Sequence, residues 1–138
     1  MTRIERNINN LFMIARDREP VFKARIASAL VYKNKIISYG FNQNRTAWMQ
    51  RKFKKEPNSH YIHAEVDAIR NAMRIVDFDT IAKSTLYIAR AKIKNNNFSY
   101  GLVEPCSGCK ECINFFNIRN VYYTTDENEI KKLEFNCE

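Results

Sequence analysis

Along the first stretch of the chain, Ile4, Ile8, Leu11, Phe12 and Ala15 follow one another at intervals of four, three, one and three. That spacing places them on one face of a helix, and Glu19-Pro20 marks its exit. From Ile26 the pattern turns β-rich. Ile26 to Tyr32 and Ile36 to Phe41, joined by Lys33-Asn34-Lys35, read as a β-hairpin. The stretch from Asn42 to Ile62 has few periodic apolar positions and reads as a surface loop with room for one helical turn; loops of this length tend to be functional. Helical spacing returns at Val66, Ile69, Ala72, Met73 and Val76, predicting a helix from about His63 to Ile75. Thr85 to Ile93 reads as a strand, followed by the turn-prone run Lys94 to Asn97. Pro105-Cys106 then precedes a short helix carrying Ile113, Phe115 and Phe116, and Val121 to Thr125 forms a further strand. Asp126 suits the N-cap of a last helix containing Ile130 and Leu133. The order α, β, β, loop, α, β, α, β, α predicts an α/β fold. We expect one three-layer α/β/α domain over residues 1–138, with a mixed, roughly five-stranded sheet and helices on both faces.

Composition narrows the class. With 45% hydrophobic residues and only three Gly and three Pro, the chain is neither collagen-like nor disordered. A chain of 138 residues buries roughly two-thirds of its unfolded surface, so size alone demands no disulfide or metal staple. No apolar run approaches the ~20 residues of a membrane span, and Met1 to Asn7 offers no signal-like stretch, so a cytoplasmic protein is expected. The charge, 23 − 15 = +8, favours anionic partners such as nucleotides or nucleic acid.

Of four cysteines, Cys106, Cys109 and Cys112 lie too close together to staple distant segments, which in a cytosolic chain points to metal or catalysis. His63-Ala64-Glu65 and Pro105-Cys106-Ser107-Gly108-Cys109 both open expected helices. Side chains in a helix's first turn tilt toward its N-terminus, so ligands from two helix starts can meet at one spot. His63, Cys106 and Cys109 would hold one zinc ion, with helix N-termini favouring the thiolates and a fourth tetrahedral position left for water. Glu65, near the metal and not required as a ligand, is then placed for proton transfer. Such a set suits hydrolytic deamination.

His-x-Glu followed by Pro-Cys-x-x-Cys is the signature of zinc nucleobase deaminases, and the chain resembles the cytidine/deoxycytidylate deaminase superfamily. The resemblance covers most of Ala24 to Thr125 and implies the cytidine-deaminase-like fold. It implies His63, Cys106 and Cys109 as zinc ligands and Glu65 as proton shuttle. Ile36 to Asn42 looks like the family's second strand, ending in an Asn that contacts the substrate sugar, which makes Asn42 a substrate-binding candidate beside the backbone at Ala64. Gly40-Phe41-Asn42 and the strand after the cysteine helix resemble the deoxycytidylate branch more than the free-cytidine branch. On that basis the expected substrate is dCMP or dCTP and the expected assembly a homo-oligomer. Ala91 to Val103 looks longer than in typical members, suggesting an extended hairpin near the pocket.

Other readings compete. The cluster could be a structural zinc site in a non-catalytic nucleic-acid-binding module, or, with a missing fourth cysteine, an iron–sulfur site. Asn42 could simply close a turn. Arg45 is the candidate phosphate contact, and Arg51 to Lys55 either meets phosphates or forms a solvated face. Trp48, Phe53 and Tyr61 interleave with these charges as in single-strand binders, so cytosine or adenine in single-stranded DNA or tRNA is the alternative substrate. Cys112 reads as a buried helix residue, Cys137 as a free thiol and His60 as a surface residue.

Overall fold

The computed structural model describes residues 1–53 and 61–135. Helix α1 (Arg3–Arg16) begins where Thr2 Oγ1 accepts from the Glu5 amide, and it buries Ile8, Leu11 and Ala15. Strands β1 (Arg25–Tyr32) and β2 (Lys35–Phe41) form the expected antiparallel hairpin, closed by Lys33 and Asn34 in left-handed backbone. Helix α2 (Trp48–Phe53) occupies the following connection, and α3 (Ala64–Ala72) is the expected central helix.

A short helix α4 (Phe78–Lys83), absent from the periodicity reading, starts at Asp77, whose carboxylate accepts from the Thr80 amide. Six residues are too few to show a helical repeat, which is why only its cap is visible in the sequence. Strand β3 (Thr85–Lys94) pairs along β1. It continues through Asn95-Asn96 into β4 (Asn97–Gly101), so the long connection between the motif halves is an extended hairpin. Helix α5 (Ser107–Phe115) follows, then β5 (Asn120–Thr124), parallel to β3.

The chain's described end departs from expectation. Residues 130–132 form β6 (Ile130–Lys132), an edge strand antiparallel to β5, and no helix. Two apolar positions three apart fit a half-buried edge as well as a helix face, and pairing with β5 decides for the strand. The sheet therefore has six strands among the described residues rather than roughly five, in the order β2-β1-β3-β5-β6 with β4 on β3.

Strand alternation divides the core. Ala27, Ala29, Val31, Tyr87, Ala89 and Ala91 face α1, and their small size lets that helix lie close to the sheet. Leu30, Leu86, Ile88 and Val121 face the opposite way, against Val66, Ile69 and Ile113 of α3 and α5. The result is the three-layer arrangement expected from the order of elements.

Candidate active site

Helix α3 is clamped to the β1–β2 hairpin by buried polar bonds. Ser28 Oγ donates to the Ala64 carbonyl at 2.6 Å, and Ser38 Oγ donates to the Ala68 carbonyl at 2.7 Å. Gly40 passes so close that a Cβ there would stand 2.2 Å from Ala64 O and 2.3 Å from Ala68 N. Asp67, almost fully buried, accepts from the Phe41 amide and from Gln43 Nε2 on one oxygen, and from two Arg70 nitrogens on the other. These bonds set where α3 starts relative to the strand ends.

His63 is the N-cap of α3 and its ring makes no capping bond, which leaves both nitrogens for other work. Its backbone amide donates to Oε1 of the fully buried Gln50 on α2 at 3.0 Å. Cys106 is the N-cap of α5, its sulfur accepting from the Cys109 amide at 3.5 Å. The two helix starts bring His63 Nδ1 to 3.1 Å from Cys109 Sγ and 3.7 Å from Cys106 Sγ. Their three ligand atoms all lie within 4.8 Å of one another.

Tetrahedral zinc, with Zn–N near 2.0–2.1 Å and Zn–S near 2.3 Å, separates a nitrogen from a sulfur by about 3.6 Å. The observed separations bracket that value, and one imidazole with two thiols is a zinc donor set. The residues fit the metal.

Electrostatics among the side chains favours the same use. The bond from Cys109, with burial opposing, and then the bond to His63 lower the Cys106 thiol to about 4. The Cys109 thiol is pushed well up by its bond to Cys106 and by burial. Cys106 raises the proton affinity of His63. Glu65, 4% exposed and within the first turn of α3, is raised by burial, with the neighbouring His63 opposing. Cys112 lies one turn beyond Cys109 in the core, and burial raises its thiol to about 12, in keeping with a packing role.

A cavity of about 300 Å³ opens onto this cluster, and its lining includes His63, Glu65, Cys106, Phe22, Tyr61 and Leu102. Ala64 and Asn42 also line it. Asn42 is engaged locally: Nδ2 donates to the Val21 and Ala24 carbonyls, and Oδ1 accepts from the Ile26 amide. Arg45 is exposed, bonds through Nε to Oε1 of the lining residue Gln43, and is not among the described lining residues. No described lining residue is Lys or Arg, whereas Glu65 and Glu104 are acidic.

Sequence reasoning missed Gln43, Gln50 and Asp67, since a lone polar residue in a loop or short helix carries no period or motif. Asp67 had one faint signal, a second carboxylate two positions after Glu65 in the first turn of the helix. His60, Cys137 and the basic residues Lys54 and Lys55 lie outside the described residues.

Residues 1–125 match the family model of the cytidine and deoxycytidylate deaminase zinc-binding region. The chain belongs to this family. No curated protein matches the sequence. Among solved structures, the cytidine deaminase of Burkholderia pseudomallei superposes with a TM-score of 0.63 at 16% identity, over 96% of this chain and 92% of that one. The apo dCMP deaminase of cyanophage S-TIM5 gives 0.62 at 17% identity, over 91% and 86%. Its complex with dCMP and dUMP gives 0.59 at 16%, over 91% and 84%. At these identities the likeness establishes the deaminase fold, and the zinc-binding family accounts for the His63, Cys106 and Cys109 cluster.

Proposed function

We propose that this deaminase converts a deoxycytidine nucleotide, dCMP or dCTP, to the deoxyuridine nucleotide and ammonia, with the 138-residue chain acting as one catalytic domain. The observation that carries the reading is the convergence of His63, Cys106 and Cys109 beside the buried Glu65 at a cavity of nucleoside-binding size. A cyanophage dCMP deaminase of the same fold, solved with dCMP and dUMP, supports the choice of nucleotide.

His63 Nδ1, Cys106 Sγ and Cys109 Sγ would hold the zinc. When bound, zinc lowers the pKa of a water and so makes a nucleophile for the ring carbon that bears the amine. The Glu65 carboxylate would take one proton from the attacking water and deliver it to the ring nitrogen, then take the same oxygen's second proton as the carbonyl forms and pass it to the departing amine, so that the C–N bond breaks and ammonia leaves neutral. The Ala64 amide, in the first turn of α3 and without an intrahelical acceptor, meets the base. Asn42 Oδ1, after accepting from Ile26, keeps a lone pair for a sugar hydroxyl. Because the described lining is acidic, the phosphate stays outside the cavity, where Arg45 beside Gln43 meets it.

Exposed Trp48, with Lys52 Nζ 6.0 Å from its ring, favours a second reading in which the base belongs to a single-stranded nucleic acid. Ammonia release from cytidine, deoxycytidine, dCMP, dCTP and a cytosine-containing oligonucleotide separates the two. Turnover of dCMP or dCTP is expected, with Glu65→Gln retaining zinc while losing at least about 10²-fold in rate. Release from the oligonucleotide alone, or an active Glu65→Gln protein, overturns the proposal.

A further inference from the structure

Eight described residues have positive φ; five are Asn and two are Lys. Left-handed backbone suits Asn, whose short polar side chain tolerates it, and disfavours bulky residues. Phe22, at φ 51°, is the eighth. It forms with Lys23, at φ 64°, the centre of a two-residue turn in which Val21 and Ala24 exchange backbone bonds of 2.9 and 3.0 Å. Turns with two left-handed residues call for Asn-Gly or a similar pair. Here the chain places an aromatic ring instead.

Phe22 is 62% exposed, yet it lines the cavity that holds Glu65 and Cys106. Its ring centroid is 4.9 Å from that of Tyr61, another lining residue, with the planes tilted by 51°. Burial of the ring therefore does not account for the strained turn. The turn itself is pinned from the site side, because Asn42 Nδ2 donates to both Val21 O and Ala24 O, each at 3.2 Å.

We infer that Phe22 is a substrate-binding residue: the Asn42-pinned turn holds its ring, with Tyr61 beside it, as a stacking platform for the planar base entering the cavity. This inference rests on the deaminase reading of the cavity and adds to it the residue that grips the base. Asn42 then acts through the turn as well as through any sugar contact. Base–aromatic stacking is worth a factor of about 5- to 150-fold in binding on loss of the ring.

The test exploits the strain. Phe22→Asn removes the ring and supplies the residue that the turn prefers, so the turn is kept and thermal stability should stay level or rise. Titration calorimetry with dUMP, a ligand that undergoes no deamination, should show dissociation constants weakened about 5- to 150-fold, with Phe22→Trp close to the parent protein. A Phe22→Asn protein that binds within twofold of the parent, at unchanged stability, overturns the platform. Should the parent bind an adenine- or cytosine-containing oligonucleotide in place of dUMP, the nucleotide reading fails. The platform is then sustained if Phe22→Asn weakens that complex and overturned if it does not. A parent protein that binds none of these ligands overturns both.

Discussion

Gln50 is a glutamine with no exposed surface, and its two ends fare differently. Oε1 accepts from the His63 amide, whereas Nε2 has no hydrogen-bond partner among the described residues. Without that acceptor the His63 amide would be left unpaired, at a cost of about 1–3 kcal/mol. Gln50 fixes the amide at the start of α3 and with it the imidazole that faces the two thiols. Gln50→Ala should lower stability by about 1–3 kcal/mol in urea titrations, because the His63 amide is orphaned. The same variant should weaken zinc about 10- to 100-fold in chelator competition, the usual cost of disturbing a ligand's support. Cys106→Ala removes a ligand outright: elemental analysis should find the metal lost and the melting temperature should fall with it. Zinc retained at full stoichiometry in that variant would remove Cys106 from the ligand set.

At the scale of elements, the seat of α3 on the hairpin decides the site. Ser28, Ser38, Asp67 and the bare backbone of Gly40 hold the helix against β1 and β2. The two nearest neighbours that a Cβ at Gly40 would strike are backbone atoms of α3, and the third is Ser28 Oγ at 2.7 Å. Gly40→Ala should therefore destabilise the protein by at least about 3 kcal/mol in denaturant unfolding and loosen zinc as well, since His63 moves with the helix. An unchanged unfolding midpoint would show that α3 can shift without cost.

Asp126 teaches a related lesson. Read as the cap of a last helix, its carboxylate instead accepts from the Leu102 amide and pairs with Lys92, tying the exit of the β3–β4 hairpin at the cavity wall. A capping residue shows that a backbone amide needs an acceptor. It does not say whether that amide opens a helix three residues on or lies just past a strand, 24 residues back.

At the scale of the whole molecule, a +8 chain surrounds a cavity whose described walls carry Glu65 and Glu104 and no cation. Attraction for an anionic nucleotide is then long-range and screened by salt, while the base is held by short-range contacts. The KM for dCMP should rise several-fold between low and physiological ionic strength, while that for uncharged deoxycytidine stays nearly level. Equal salt responses would place a cation within the cavity wall.

The sequence by itself determined whatever depends on local period and short spacing. Helix α1, the β1–β2 hairpin, α3, β3 and α5 were legible because their apolar positions repeat over enough residues. The set His63, Glu65, Cys106 and Cys109 was legible because each half lies within one helical turn. Tertiary structure decided whatever depends on pairing between distant segments. It made residues 130–132 a strand through β5, bonded Asn42 to a turn 18 to 21 positions earlier, and placed Gln50 behind His63. It also gave Phe22 a cavity to line. A polar side chain can meet many partners at small energetic difference, and only the packed fold selects which one it meets.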